Sequence, residues 1–285
     1  MITRGINAVA RGMQAMIDFE DVTAHNVANV NTNGYKKTSI TFQDVMSSNV
    51  QTKSANGVIK NVGTLSSGAK YDRTYIDFSQ GGLSETGNKL DVAFQGNGFF
   101  KIRLKEVSDD MPYNEKNYYY QRVGDFQLTT DNYLVNSEGD YAMDIENRRI
   151  RIARDPNVDD LTEMNRMDLT EDLLIAENGQ IQLGDGTYQT LLQKLQICDF
   201  SDKTKISTIG QGKYLPIYGQ DAGLHTLNDG EFSLQQGMVE MSNANTISEM
   251  LNTINVSRGY EAMSTILKRQ SETVSQAISL GNIKG

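Results

Sequence analysis

TISEMLNTINVSRGYEAMSTILKRQSETVSQAISL (Thr246–Leu280) brings apolar residues back every three or four positions. Ile247, Met250, Leu251 and Ile254 lead, and Val256, Tyr260, Met263, Leu267, Gln270, Val274 and Ile278 follow near heptad spacing. The spacing predicts one helix of about 50 Å at 1.5 Å per residue. Thr246 and Glu249 stand as a T-x-x-E capping box at its start. A helix this long exceeds what so small a domain can cover, so its seam is expected to meet other subunits. A two-helix hairpin packed on the chain's own β domain is the second reading.

The opposite end answers it. Ile2, Ile6, Val9, Met13 and Met16 alternate spacings of four and three, and the seam resumes at Val27 and Val30. Gly5 and Gly12 lie on one side, with Ala8 and Ala15 near them. Each glycine costs an isolated helix about 1 kcal/mol relative to alanine, which favours close backbone approach over intrinsic stability. Asn33-Gly34 supplies a pair that accepts left-handed geometry at the helix end.

Charge separates the regions. Residues 1–37 and 246–285 each hold four basic and three acidic side chains, so 38–245 carries −11 against a chain total of −9. Nearly neutral helices crowd together without strong repulsion, and an acidic body stays soluble. No basic cluster interleaved with aromatics points to nucleic acid. No apolar run approaches the roughly 18 residues of a membrane span. The N-terminal stretch reaches Asp18, Glu20 and Asp21 without an apolar h-region, so no cleavable secretory signal is expected.

Between the helices, Met46–Lys70 is rich in Ser, Asn and Gly and is expected to be an extended connector. Strand alternation begins at Tyr71 and returns through Leu90, Val92 and Phe94, then through Phe99, Phe100, Ile102 and Leu104. Hairpin turns are expected at Thr130-Asp131-Asn132, Asn178-Gly179 and Asp185-Gly186. The reading is an α+β chain in which residues 1–35 and 246–285 form an axial helical domain with coiled-coil-like packing. Residues 36–70 connect it to an all-β body at 71–245.

Candidate chemistry is thin. His25 and His225 are 200 residues apart, and Cys198 is the sole cysteine, so no metal-ligand spacing and no intramolecular disulfide is expected. Cys198 sits among strand-like residues and reads as a buried structural thiol. Asp109-Asp110 and Asp159-Asp160 lie in hydrophilic loops and read as solvated surface. Asp131–Asp140 lacks the sixth-place glycine and closing glutamate of a calcium loop. No catalytic residue, metal site or cofactor is expected.

Four stretches carry a resemblance. HNVANVNTNGYKK (His25–Lys37) resembles the NNLANVNTTGFK signature of bacterial flagellar rod and hook proteins. TGNKLDVAFQGNGFF (Thr86–Phe100) is similar to their TGNPLDLAIEGDGFF. VGDFQLTTDNYLVNSEGDYAM (Val123–Met143) resembles their DGSFKLDADGYLVTSNGY hairpin. QGMVEMSNANTISEMLNTINVSRGYEA (Gln236–Ala262) is similar to the segment leading into their C-terminal helix.

The resemblance implies a rod subunit of the distal or adjoining kind, with terminal helices packed as concentric tubes around the export channel and a β domain outside. Its partners would be copies of itself, other rod and hook proteins, the bushing rings and the export apparatus. Matched junction residues are Asn26, Asn29, Asn31, Gly34 and Tyr35, and then Ser242, Asn243, Glu249, Met250, Arg258, Tyr260 and Glu261. The seam residues Ile6, Val9, Met13, Met16, Met263, Leu267 and Val274 would join them in assembly. The asparagines also suit helix C-capping, and Arg258 with Glu261 suits either an intrahelical pair or a bridge between subunits.

His25 and Lys89 depart from the family's usual Asn and Pro, and loops 105–120 and 154–172 enlarge the body. A hook subunit, a secreted adhesin with coiled-coil termini and a glycan-cleaving enzyme are the alternatives. The adhesin would normally bring a signal peptide and sustained heptads, and the enzyme convergent carboxylates or a metal cluster.

Overall fold

The computed structural model describes residues 2–45, 48–53, 59–65, 68–106, 117–152, 173–183, 190–210, 212–217, 219 and 221–282. The chain is α+β, with a helix at each end and strands between. It divides into two compact units: residues 1–30, 37–77 and 244–285 form the first, and residues 31–36 and 78–243 the second.

In the first unit, α1 spans Ile2–Ala28 and α2 spans Thr246–Asn282. The α1 helix ends where the Asn29 side chain donates to the His25 carbonyl at 2.8 Å, and the Asn29 amide closes a last turn on Asn26 O. The start of α2 is capped one residue upstream of the expected box. Asn245 Oδ1 accepts from the amides of Ile247 (3.0 Å) and Ser248 (3.1 Å), groups that the first turn leaves without partners. Glu249 is freed from that capping role and is buried.

Three pairings fix the register of the two helices. A Cβ on Gly5 would stand 3.1 Å from Gln270 Nε2, and one on Gly12 would stand 3.0 Å from Met263 Sδ. A Cβ on Gly259 would stand 3.4 Å from Met16 Sδ. As one member of each pair ascends, the other descends by equal steps, so the helices run antiparallel. At Gly5 and Gly12 the absence of a Cβ lets the ends of Gln270 and Met263 approach closely.

The stretch expected as an extended connector instead pairs as strands. β1 (Thr38–Asp44) and β4 (Ala69–Ile76) are antiparallel, from Thr38 opposite Ile76 to Asp44 opposite Ala69, with a bulge at Thr41/Phe42. β2 (Ser48–Lys53) and β3 (Ile59–Leu65) pair antiparallel as well. The strand signal expected from Tyr71 falls within β4, which starts at Ala69 and is mostly exposed. Its pairing is held by backbone bonds and by packing on α1, where Phe19 meets Phe42 edge-on at 6.2 Å.

The second unit contains β5 (Leu83–Glu85), β6 (Val92–Gln95), β7 (Phe99–Arg103), β8 (Tyr118–Gln121), β9 (Gln127–Leu128), β10 (Leu134–Val135) and β11 (Tyr141–Ala142). There follow β12 (Leu173–Ile175), β13 (Gln180–Leu183), β14 (Thr190–Lys194), β15 (Ile197–Phe200), β16 (Ile206–Gly210), β17 (Lys213–Pro216), β18 (Leu224–Thr226), β19 (Ser233–Gln236) and β20 (Met238–Glu240). The main sheet runs β16-β17-β8-β7-β11-β10-β9, with β15 joining β7 and β18. β12, β13 and β14 form a separate antiparallel sheet, and β6 pairs with β19 and β5 with β20.

Successive residues of a strand face opposite sides, and β7 uses both. Phe99 meets Phe78, Phe200 and Tyr214 at 5.4–5.5 Å, whereas Phe100 meets Phe94 at 4.3 Å and Phe126 at 5.1 Å. Both faces are therefore covered and every residue of β7 is buried. The expected hairpins form at Asn132, which adopts φ +61°, and at Gly179, with φ +82°. The turn expected at Asp185-Gly186 lies outside the described residues, as do 107–116 and 153–172.

Candidate assembly interface

The outward side of α2 is divided. Val256, Gly259, Met263, Leu267, Gln270 and Val274 share one side, all buried or half-buried, and Met263 and Gln270 there meet the glycines of α1. On the opposite side of the first two turns stand Ile247, Met250, Leu251 and Ile254, 70%, 52%, 55% and 47% exposed. Arg258, Glu261 and Thr265 take over that side as the helix continues, and all three are exposed. A protein gains nothing from leaving four large apolar side chains together in water, and such a patch marks an interaction surface.

On α1, Ile6, Val9, Met13 and Met16 are half-buried, and Met16 lies against Gly259. Met16, Phe19, Gly12 and Ala15 line a cavity of about 320 Å³ with Phe42 and Val256.

The junction residues have internal duties. Asn26 is buried and clamps the backbone of Thr38: its Nδ2 donates to the carbonyl at 2.8 Å and its Oδ1 accepts from the amide at 3.0 Å. Asn31 is exposed, whereas Gly34 and Tyr35 are buried. Gly34 adopts φ +63°, donates its amide to Glu240 O at 2.6 Å, and would drive a Cβ to 2.4 Å from Val123 Cγ2. The Asn243 side chain donates to Ser79 O at 3.0 Å, and Ser242 is half-buried beside it. Glu249 pairs with Lys37 at 2.8 Å. Met250 and Tyr260 are exposed.

Sequence reasoning passed over a buried charged cluster. Glu240 Oε1 accepts from Lys36 Nζ at 2.7 Å and from the Gly81 amide at 2.9 Å, and Oε2 accepts from Arg122 Nε at 2.6 Å. Arg122 also donates to the Gly98 carbonyl at 2.7 Å and to the Gly96 carbonyl, with its guanidinium 4.8 Å from the Phe94 ring. Burial pushes the Glu240 carboxyl up, but Arg122 and Lys36 outweigh it and hold the group below the usual glutamate range.

Three of the four quoted stretches supply residues here. His25–Lys37 contributes Lys36 and Gly34, Thr86–Phe100 the carbonyls of Gly96 and Gly98, and Gln236–Ala262 contributes Glu240; Val123–Met143 begins beside Arg122. The signal was two charged residues inside the quoted stretches, Lys36 and Glu240, whose partners lie too far along the chain to be paired by spacing.

Among the described residues no group of three or more His, Cys, Asp or Glu is placed to hold a metal, and no helix is long and apolar enough to cross a membrane. Cys198 is buried, and burial raises its thiol pKa. In the loop Asp131–Asp140, Asn136 Oδ1 accepts from the Glu138 and Asp140 amides, and Asp140 accepts from Tyr119 OH at 2.8 Å. Its polar groups thus serve the turn itself.

Residues 235–280 match the family described as flagellar basal body rod FlgEFG protein, C-terminal. The chain is 26% identical to flagellar basal-body rod protein FlgG of Agrobacterium fabrum, over 95% of this chain and 97% of that one. It is 29% identical to FlgG of Buchnera aphidicola subsp. Baizongia pistaciae over 94% and 96% of the two, and 27% identical to the rod protein FlgF of Mesorhizobium japonicum over 90% and 89%. Along nearly its whole length the chain is thus similar to flagellar basal-body rod proteins. The rod-family match at 235–280 begins next to β20, which carries Glu240, and covers nearly all of α2. It thus takes in the exposed apolar patch and, of the charged cluster, Glu240.

Proposed function

We propose that this chain is a structural subunit of the flagellar basal-body rod that assembles with copies of itself into a tubular drive shaft. The shaft transmits torque and encloses the export channel. The observation that carries this reading is the apolar quartet Ile247, Met250, Leu251 and Ile254, exposed on the side of α2 turned away from the α1-facing stripe. Burial of each such side chain contributes roughly 1.5–3 kcal/mol, and the gain recurs at every subunit. Relatives along the whole length carry the name of rod proteins, which favours rod over hook.

Other rod and hook proteins, the bushing rings and the export apparatus are its partners in the basal body. The terminal helices pack on those of neighbours in a coiled-coil-like layer, and the protein performs no catalysis. Residues 1–35 and 246–285 build the axial layer. The site residues act in two sets. Met16, Met263, Leu267 and Val274 hold the helix pair together, and Met250, Arg258, Tyr260 and Glu261 face neighbours.

Replacing Leu251 and Ile254 together by Asp tests this. Both side chains are exposed, so the monomer should keep its helix content while cells lose motility and external hooks. A strain carrying both substitutions that swims with normal hooks overturns the reading.

A further inference from the structure

The contacts between α1 and α2 place two thioethers in equivalent positions. Met16 Sδ lies 3.4 Å from the point where a Cβ of Gly259 would stand, and Met263 Sδ lies 3.0 Å from the corresponding point at Gly12. Each sulfur therefore fills the gap that a glycine opens in the facing helix. Both methionines also line the cavity of about 320 Å³ bounded by Gly12, Ala15, Phe19 and Val256, and both are only partly buried. A small oxidant can reach them there. Met143, 0% exposed in the β core, is shielded, whereas Met241 and Met250 are 44% and 52% exposed.

We infer that Met16 and Met263 form a paired modification site for hydroperoxides, at which oxidation to the sulfoxide releases α1 from α2. A sulfur lone pair attacks one peroxide oxygen, the O–O bond breaks and an S–O bond forms. Sulfur loses two electrons, and the other oxygen takes them and leaves as water, or as an alcohol from an organic peroxide. The product carries a new oxygen against the facing glycine, and turns an apolar thioether into a strong acceptor in a lining that is apolar apart from Asn255. Its added bulk and polarity disturb the close sulfur–glycine contacts that hold the helices together. At Met241 and Met250 the same oxygen is solvated at once, so modification there leaves the pair intact.

The full-length protein treated with hydrogen peroxide tests this, with peptide mass spectrometry reading each methionine and circular dichroism reading helix content. Sulfoxide at Met16 and Met263 should rise in step with the loss of helical signal, ahead of any change at Met143. Methionine sulfoxide reductases, one for each epimer, should restore the signal. The variant M16L/M263L should keep its helical signal at the same dose while Met241 and Met250 are oxidised.

The proposal is overturned if helix content is unchanged when both sites are fully oxidised, or if it falls while both remain thioethers. Equal loss in M16L/M263L overturns it too. Should that variant fail to fold, the reductase arm on the natural protein decides, since unrecovered helix after repair at both sites also refutes it. None of these readouts depends on rod assembly, so the inference stands or falls apart from the proposed function.

Discussion

Glu240 Oε2 accepts from Arg122 Nε at 2.6 Å in a site where the carboxylate side chain is 0% exposed and the guanidinium 4%. Lys36 completes the group from 204 residues away in sequence. Two buried cations and one carboxylate are tolerable only because carbonyls of Ser79, Gly96 and Gly98 and the Gly81 amide take up the remaining donors and acceptors.

Glu240→Gln removes the carboxylate charge that those two buried cations share. Breaking a buried pair in this way costs about 3–5 kcal/mol. Urea unfolding followed by tyrosine emission, convenient in a chain with 13 Tyr and no Trp, should show that loss. A change under about 1 kcal/mol would mean that the cluster is held by its backbone bonds alone.

The same residue sets an acid limit. Its carboxyl is held below the usual glutamate range, so the folded state binds the proton less readily than the unfolded chain, whose value is about 4.3. The stabilisation is therefore fully present above that value and is lost as pH falls through it toward the depressed folded value. Asp125, raised by burial first of all, acts in the opposite sense, so the informative quantity is a difference. Wild-type stability should fall more steeply than that of Glu240→Gln below about pH 4.3, and parallel curves would refute the assignment.

Gly34→Ala meets two obstacles, a left-handed backbone and a Cβ 2.4 Å from Val123 Cγ2. Together they should cost about 2–4 kcal/mol. Adding Val123→Ala removes the clash and should recover part of the loss in denaturant midpoint. Full recovery would show that backbone strain contributes nothing.

At Gly12 the sign depends on size. Alanine gains about 1 kcal/mol of helix propensity and asks only the flexible end of Met263 to shift. Leucine has no space against that sulfur and should separate the helices. Thermal melts at 222 nm should show Gly12→Ala close to wild type and Gly12→Leu with reduced helix. Equal melts for both would show that the glycine is not a contact point.

Asn26→Ala removes both bonds to the Thr38 backbone and strands an amide and a carbonyl at the foot of β1. The cost should be about 2 kcal/mol. Hydrogen exchange at Thr38 should accelerate, and unchanged protection there would assign the residue to capping alone.

What the sequence determined by itself was local. Apolar residues recurring at three and four placed both helices, and residues suited to positive φ placed the turns at Asn132 and Gly179, because such signals depend on dihedral preference and periodicity within a few residues. The capping residue of α2 was missed by one position, since Thr246 and Asn245 are both good N-caps and only the backbone's entry angle chooses between them. Tertiary structure alone decided the pairing of β4 with β1, which lies in the stretch expected to be a connector. It alone also decided the meeting of Lys36, Arg122 and Glu240. No periodicity links charges more than a hundred residues apart, and only the closing of the β fold brings them to hydrogen-bond distance and makes each one's burial depend on the others.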